Sequence, residues 1–205
     1  MKGLVRPAFV LLALFTALTG VAYPLAVTGA SKLLFSSRAE GSVLSSRGRV
    51  VGSSLVGQSF DDPRYFWSRP SATSPVAYNA SSSSGSNLGP SNPSLRDAVR
   101  ARVAALQAAD PTQRSSVPVD LVTASASGLD PHISVAAARY QASRVALARG
   151  LSIERVTALI AAHTEQPTLG ILGEPRVHVL SLNLALDGLG AAVSHVASRA
   201  MFAPR

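Results

Sequence analysis

Two short stretches hold the residues best suited to chemistry. Asp130-Pro131-His132 and His163-Thr164-Glu165 offer two carboxylates and two imidazoles. Such a set can ligate a metal ion or work as a general acid–base pair. Neither stretch has the spacing of a strong motif such as His-Glu-x-x-His. The plainer reading is helix-end capping, with Asp130 ahead of a helix and His163 at a helix C-terminus, where the dipole favours a cation. That reading leads, and no metal ligand is assigned. Ser125 and Ser127 stand near Asp130 and His132, so a Ser/His/Asp hydrolase using Ser127, Asp130 and His132 is an alternative. The run Ser125-Ala126-Ser127-Gly128 lacks the Gly-x-Ser-x-Gly elbow, however, and reads equally as a turn. No catalytic residue is assigned.

Two further clusters bear on binding. Ser83-Ser84-Gly85-Ser86-Asn87 is a small-residue loop whose backbone N–H groups can cradle an anion. It lacks the Lys of a phosphate-binding loop and follows no obvious strand. Trp67 with Arg69 can stack on a base or sugar, but such a cluster is more often a core edge or an interface anchor.

These residues need a fold to position them. The 205 residues carry 19 Lys+Arg, 11 Asp+Glu and no Cys, for a net charge of +8. The length suits one domain plus an appendage. Zero cysteine excludes a disulfide framework, a thiolate zinc site and a cysteine nucleophile. Hydrophobic residues make up 47% and charged residues 15%, which is not the composition of a disordered chain. The basic residues are nearly all Arg and are dispersed, and aromatics are only 5%. A nucleic-acid groove wants dense basic and aromatic residues together, so no nucleic-acid partner is expected. The charge reads as a mildly cationic surface, with attraction to anionic lipid or a partner subunit second.

From Pro7 to Ser31 there is no charged residue. As a helix this stretch reaches about 37 Å, enough to cross a hydrocarbon core of about 30 Å. A cleavable signal peptide competes, with Lys2 and Arg6 ahead of the apolar run and Thr28-Gly29-Ala30 as the cleavage site. The run exceeds the usual apolar length of such signals, which favours a single-pass anchor. A secreted binding module is the corresponding alternative. A short N-terminal tail normally stays inside, so the expected layout is a cytoplasmic N-terminus over 1–6, a transmembrane helix over 7–31, an extracytoplasmic domain over 32–187 and a tail over 188–205. Pro24 is expected to kink the last turn or end the regular helix. Gly20, Ala22, Ala26 and Gly29 permit close helix packing.

After the span, 32–49 reads as a polar linker with a short strand, and 50–60 as a strand pair or strand–turn. The stretch from Asp61 to Ser94 holds Tyr65, Phe66, Trp67 and Tyr78 amid Pro, Gly, Asn and Ser. Aromatic clusters do not suit disorder, so it reads as a long ordered loop docked on the core, with a mobile tip. Asn92-Pro93-Ser94 starts a helix along which Leu95, Val99, Val103 and Leu106 share a face. VPVDLVTA (117–124) reads as a short strand. A second helix runs over 134–149 to Gly150, and Ser152 caps a third to about Ala162. Residues 176–179 alternate as a strand, 180–187 fit strand or helix, and the last 18 residues read as a frayed helical tail. The pattern is α+β, α/β-like in order, with a small sheet covered by helices.

Several long words then stand in order: GSSLVGQSF (52–60), YFWSRPSAT (65–73), YNA (78–80), GSNLGPSN (85–92), VPVDLVTASASGLDPHIS (117–134), RVALARGLS (144–152), HTEQPTLGILGEPRVHVL (163–180) and LNLALD (182–187). With the single N-terminal span, they make the chain similar to the KdpC family, the C subunit of the bacterial Kdp potassium-transporting P-type ATPase. The resemblance implies an accessory, non-enzymatic subunit of a K⁺ import complex in the bacterial inner membrane, with no tightly bound cofactor. It implies two partners, a channel-like K⁺-conducting subunit and an ATP-hydrolysing P-type subunit. Two roles come with it. One is a catalytic chaperone that raises the ATP affinity of the P-type subunit through a Ser-Gly-Gly-Ser loop, which stands here as Ser83-Ser84-Gly85-Ser86. The other is an outer cap that stabilises the channel-like subunit. ATP is cytosolic and the domain is read as extracytoplasmic, which favours assembly and capping. Candidate interface residues are Gly20 and Ala26 in the span, and Tyr65, Phe66, Trp67 and Arg69 in the domain.

Overall fold

The computed structural model describes residues 2–46 and 48–189. The expectation of a helical tail falls largely on 190–205, outside the described residues. The chain forms two compact units, Met1–Leu44 and Ser45–Arg205.

The first unit is dominated by one long helix. Helix α1 (Lys2–Ala17) runs through a π-helical segment, Leu18–Ala22, into α2 (Tyr23–Leu34). Gly3–Leu34 is a 32-residue stretch long and apolar enough to cross a membrane, and none of its residues is buried. Of the two expectations for Pro24, a kink or an end, the helix does not end there, and its regular α pitch is interrupted just ahead of the proline. Proline lacks an N–H and crowds the preceding turn. That turn widens instead, and the Tyr23 N–H reaches back to the Leu18 carbonyl. Thr19 Oγ1 donates to the Phe15 carbonyl at 2.7 Å beside it. A short helix α3 (Ser36–Ala39) follows where a linker was expected. Strands β1 (Val43–Ser46) and β2 (Arg49–Ser53) form a two-stranded sheet.

The second unit is a mixed α+β domain built around α5 (Val135–Arg149). Ala137, Ala138, Tyr140, Gln141, Ala142, Arg144, Val145 and Ala146 of this helix are all buried. A helix buried around most of its circumference has no amphipathic stripe, and its alanines let neighbours approach closely. The Ser134 hydroxyl caps it by accepting from the Ala137 N–H at 3.0 Å, and Gly150 ends it at φ 63°. Helix α6 (Ile153–Ala162) packs on α5 with Val156 and Ile160 inward. Helix α4 (Pro93–Ala109) lies further out, capped by the Asn92 side chain, with Leu106 buried and Val99 and Val103 against the core.

The three-stranded sheet is antiparallel in the order β3 (His132–Ser134), β5 (Arg176–His178), β4 (Thr164–Glu165). Ile133 sits opposite Val177, and both face the core. Helix α7 (Val179–Leu189) settles 180–187 as helix. Its buried Val179, Leu182, Asn183 and Leu186 recur at i, i+3, i+4 and i+7. Two expectations are corrected. The strand over 117–124 is a 3-10 turn at Val119–Leu121, because Asp120 is drawn out to accept from the Ser134 N–H at 2.7 Å. Asp130 precedes β3, not a helix, and α5 is capped by Ser134 instead.

The stretch beyond Asp61 is ordered against the core, and its backbone is held there by carboxamides. Phe66 is fully buried. Its N–H donates to Asn183 Oδ1 at 2.9 Å, and its carbonyl accepts from Asn183 Nδ2 at 3.0 Å. Trp67 is held in the same way by Gln141, at 2.8 and 3.2 Å. Gln141 and Asn183 are only 1% and 2% exposed. Arg144 adds bonds to the carbonyls of Pro63 and Tyr65, donates to Gln141 Oε1 and lies 4.5 Å over the Trp67 ring. Burial lowers its pKa to about 10, which leaves it charged at neutral pH.

His178 closes β5 and caps α7. Its Nδ1 accepts from the Ser181 N–H at 3.2 Å, and its Nε2 lies 3.0 Å from the Ser54 carbonyl. These partners require the neutral ring with the proton on Nε2. Burial pushes its pKa below 6.5, and the neighbouring His132, edge-on at 5.2 Å, adds to the shift.

Two outcomes follow for thermal unfolding of the full chain in detergent. Asn183→Leu orphans two buried backbone groups and Gln141→Leu two part-buried ones, and each should cost about 2–4 kcal/mol, with the double variant less than additive. The folded state disfavours protonated His178, so its contribution is complete above pH 6.5 and lost as pH falls from 6.5 towards the lowered pKa. His178→Asn keeps a cap acceptor without titrating. The melting temperature of that variant should fall less between pH 7 and 5 than that of the parent; equal slopes would show that His178 is not the responsible group.

Candidate functional site

The expected chemical residues do converge, in part. Strand β3 with the turn before it, and β4 on the far side of β5, bring Asp130, His132 and Glu165 together, while the stretch beyond Asp61 and β5 add Arg69 and Arg176. His132 lies 3.4 Å from Asp130 and 3.6 Å from Glu165. Asp130 also faces Arg69 at 3.4 Å, and Glu165 faces Arg176 at 3.0 Å. Burial pushes the Asp130 carboxyl up, but hydrogen bonds from His132 and the charge of Arg69 outweigh it and hold the pKa below 3.8. His163 stands apart, at the end of α6, with Nδ1 2.9 Å from the Leu159 carbonyl. Two residues that sequence reasoning passed over complete the cluster, His178 and Arg176. Only their adjacency to His132 and Glu165 across the β5 ladder marks them, and the linear chain does not display it.

A cleft of about 430 Å³ opens here, lined by Arg69, Asp120, Asp130, His132, Glu174 and Arg176 among others. Its charges are largely spent on one another. Arg69 donates to the carbonyls of Thr123 and Ala124 as well as to Asp130, and Asp120 accepts from Ser134. Among the described residues no group of three or more His, Asp or Glu is placed to hold a metal ion. Ser127 Oγ accepts from the Leu129 N–H, and His132 is turned to its carboxylates. That arrangement supplies no nucleophile–base pair of the kind a serine hydrolase needs.

The Ser83–Ser86 loop lies along residues 126–128. The Ser84 N–H donates to the Ser127 carbonyl at 3.0 Å, and the Ser83 hydroxyl donates to the same oxygen at 2.9 Å. Gly85 is required by contact, since a Cβ there would stand 2.8 Å from the Ala126 carbonyl oxygen. Gly128 is required twice over, at φ +68° and with a Cβ position 2.6 Å from the Ser84 carbonyl oxygen. Ser84 itself is not among the positive-φ residues, so it stands without backbone strain.

The aromatic cluster is mostly internal. Phe66 offers no surface at all. Trp67 is partly buried, with one face under Arg144 and its Nε1 donating to the Asp62 carbonyl. Tyr65 is partly buried, stacks under Arg149 at 4.7 Å and donates to Asp187 at 3.1 Å. Asp187 in turn accepts from Arg149 at 2.9 Å. In the first unit, Gly20 lies inside the π-helical segment, and the nearest atom to a Cβ there is 4.0 Å away.

Comparison with known proteins places this arrangement. The family model described as "K+-transporting ATPase, c chain" matches residues 5–188. A protein of Polaromonas naphthalenivorans (strain CJ2) is 66% identical over 189 residues, 92% of this chain and 96% of that protein. One of Variovorax paradoxus (strain S110) is 65% identical over 192 residues, 94% and 100% of the two chains. One of Herminiimonas arsenicoxydans is 60% identical over 187 residues, 91% and 98%. Each of the three is named as a potassium-transporting ATPase KdpC subunit. With the match running through the apolar helix and the whole clamped domain, the chain belongs to the KdpC family.

Proposed function

We propose that this chain is a membrane-anchored, non-catalytic accessory subunit of a K⁺-transporting ATPase complex, working by assembly and capping. The apolar helix serves as a single-pass anchor in the inner membrane, with the N-terminus cytoplasmic and the domain extracytoplasmic. The partners are the K⁺-conducting channel-like subunit and the ATP-hydrolysing P-type subunit. Gly20 and Ala26 contribute close helix packing in the bilayer. Tyr65, Trp67 and Arg69 contribute at the domain surface, whereas Phe66 acts from inside by holding that segment in place.

The observation that carries capping over an ATP-contacting role is the commitment of the Ser84 N–H to the Ser127 carbonyl. A phosphate cradle needs converging free N–H groups. Here the second amide of Ser83–Ser86 is already paired, and no basic side chain lies in 79–92. The alternative remains the catalytic chaperone that raises ATP affinity through Ser83, Ser84, Gly85 and Ser86, and it needs a cytoplasmic domain.

The chain contains no cysteine, and Ser84 is exposed. Ser84→Cys should therefore be labelled by a membrane-impermeant thiol reagent on intact cells. Labelling only after permeabilisation would put the domain in the cytoplasm and make the chaperone role the better account. In the span, Gly20→Leu should leave domain unfolding unchanged but lower the yield of co-purified subunits several-fold; an unchanged yield would remove Gly20 from the interface.

A further inference from the structure

The connection between β4 and β5 carries an apolar tip. Within Thr168-Leu169-Gly170-Ile171-Leu172, Leu169 is 85% exposed, Ile171 81% and Leu172 58%. Large apolar side chains exposed singly are ordinary, but three of four consecutive residues at one loop end form a patch.

The tip is built rather than loose. Thr168 and Leu172 exchange two backbone hydrogen bonds, at 2.9 and 3.0 Å. The Gly170 N–H donates to the Pro167 carbonyl at 2.9 Å, and the Ile171 N–H to the Thr168 carbonyl at 3.3 Å. Leu169 is held at φ 57°, a left-handed conformation unfavourable for a branched apolar side chain. Below the tip, the Glu165–Arg176 pair at 3.0 Å anchors the strands. A side chain presented on a preorganised turn loses little freedom on docking.

The charges select the occupant. Between Thr164 and Pro175 the only charged residues are Glu165 and Glu174, and there is no Lys, Arg, Trp or Tyr. A tip that enters an anionic bilayer carries basic residues and interfacial aromatics. This one has the opposite charge and neither aromatic. Glu165 is engaged by Arg176, which leaves Glu174 as the acidic flank able to meet a cation on a partner.

We infer that the Leu169–Leu172 tip is a docking knob that inserts into an apolar pocket with a basic rim on another protein subunit of the complex. The inference rests on the accessory-subunit reading and goes beyond it by naming the surface and the chemistry of its receptor. It is independent of the span contacts.

The test uses the full chain, purified in detergent, and a complex of the remaining subunits prepared without it. The parent should bind that complex. A Leu169→Ser/Ile171→Ser double variant should bind at least about tenfold more weakly, with the same melting temperature because both side chains are exposed. Glu174→Lys should weaken binding in a salt-dependent way. Unchanged affinity in the double variant, beside a binding parent, overturns the knob alone. A parent that does not bind overturns the accessory reading and the knob together. A second probe separates the remaining occupants. A fluorophore on Ile171→Cys in reconstituted vesicles should respond to the added subunits and not to nitroxide-labelled lipid. Quenching by that lipid would assign the tip to the bilayer. Self-association of the isolated chain, abolished by the double variant, would assign it to a second copy. Either result overturns the inference.

Discussion

Backbone that crosses a protein interior outside a helix or sheet must find partners for its N–H and C=O groups. That constraint governs this domain. Phe66 inside the core and Trp67 at its edge belong to no helix or strand. Two buried carboxamides, Asn183 from α7 and Gln141 from α5, stand in for a neighbouring strand. Each offers a donor and an acceptor at the spacing of a peptide group, so each replaces one rung of a ladder. Arg144 then collects the carbonyls that remain and covers the Trp67 face. Through these three side chains the segment fixes the positions of α5 and α7, and with α7 the sheet whose last residue caps it.

The same economy governs the cleft. Asp130, His132, Glu165, Arg69 and Arg176 resemble the ingredients of catalysis in type. Their geometry is that of mutual neutralisation, with each carboxylate facing an arginine and the imidazole between them. A catalytic group needs a displaced pKa and an unspent partner directed at substrate. Asp130 is displaced the other way, towards a permanently ionised structural carboxylate. Polar groups spent in this way on the fold suit a non-catalytic subunit of the KdpC family.

Much of this was legible in the chain. Asn92 and Ser152 announced their helices through capping chemistry, and Gly150 announced an end, because these are local effects. The ordered loop was legible through its aromatics. What could not be read was non-local. VPVDLVTA has the composition of a strand, but Asp120 is claimed by Ser134, fourteen residues on, and the chain turns. The period of 180–187 was ambiguous until burial chose Val179, Leu182, Asn183 and Leu186. Gln141 and Asn183 looked like ordinary polar residues on helices. Their role depends on a segment more than seventy residues away, and no local pattern encodes that pairing.

The long apolar helix meets the same constraint that shapes the domain. In hydrocarbon no water can satisfy a freed carbonyl, so a proline inside a span has to be accommodated by the helix or its neighbours. Pro24 removes one donor, and the turn ahead of it relaxes to the wider π pitch while the Thr19 hydroxyl takes a carbonyl one turn back. The interruption therefore costs the helix little of its length, and it falls where Gly20 leaves the backbone uncovered. In the domain the chain brings its own carboxamides to exposed backbone. In the apolar helix no side chain covers the backbone at Gly20, where the nearest atom to a Cβ position is 4.0 Å away.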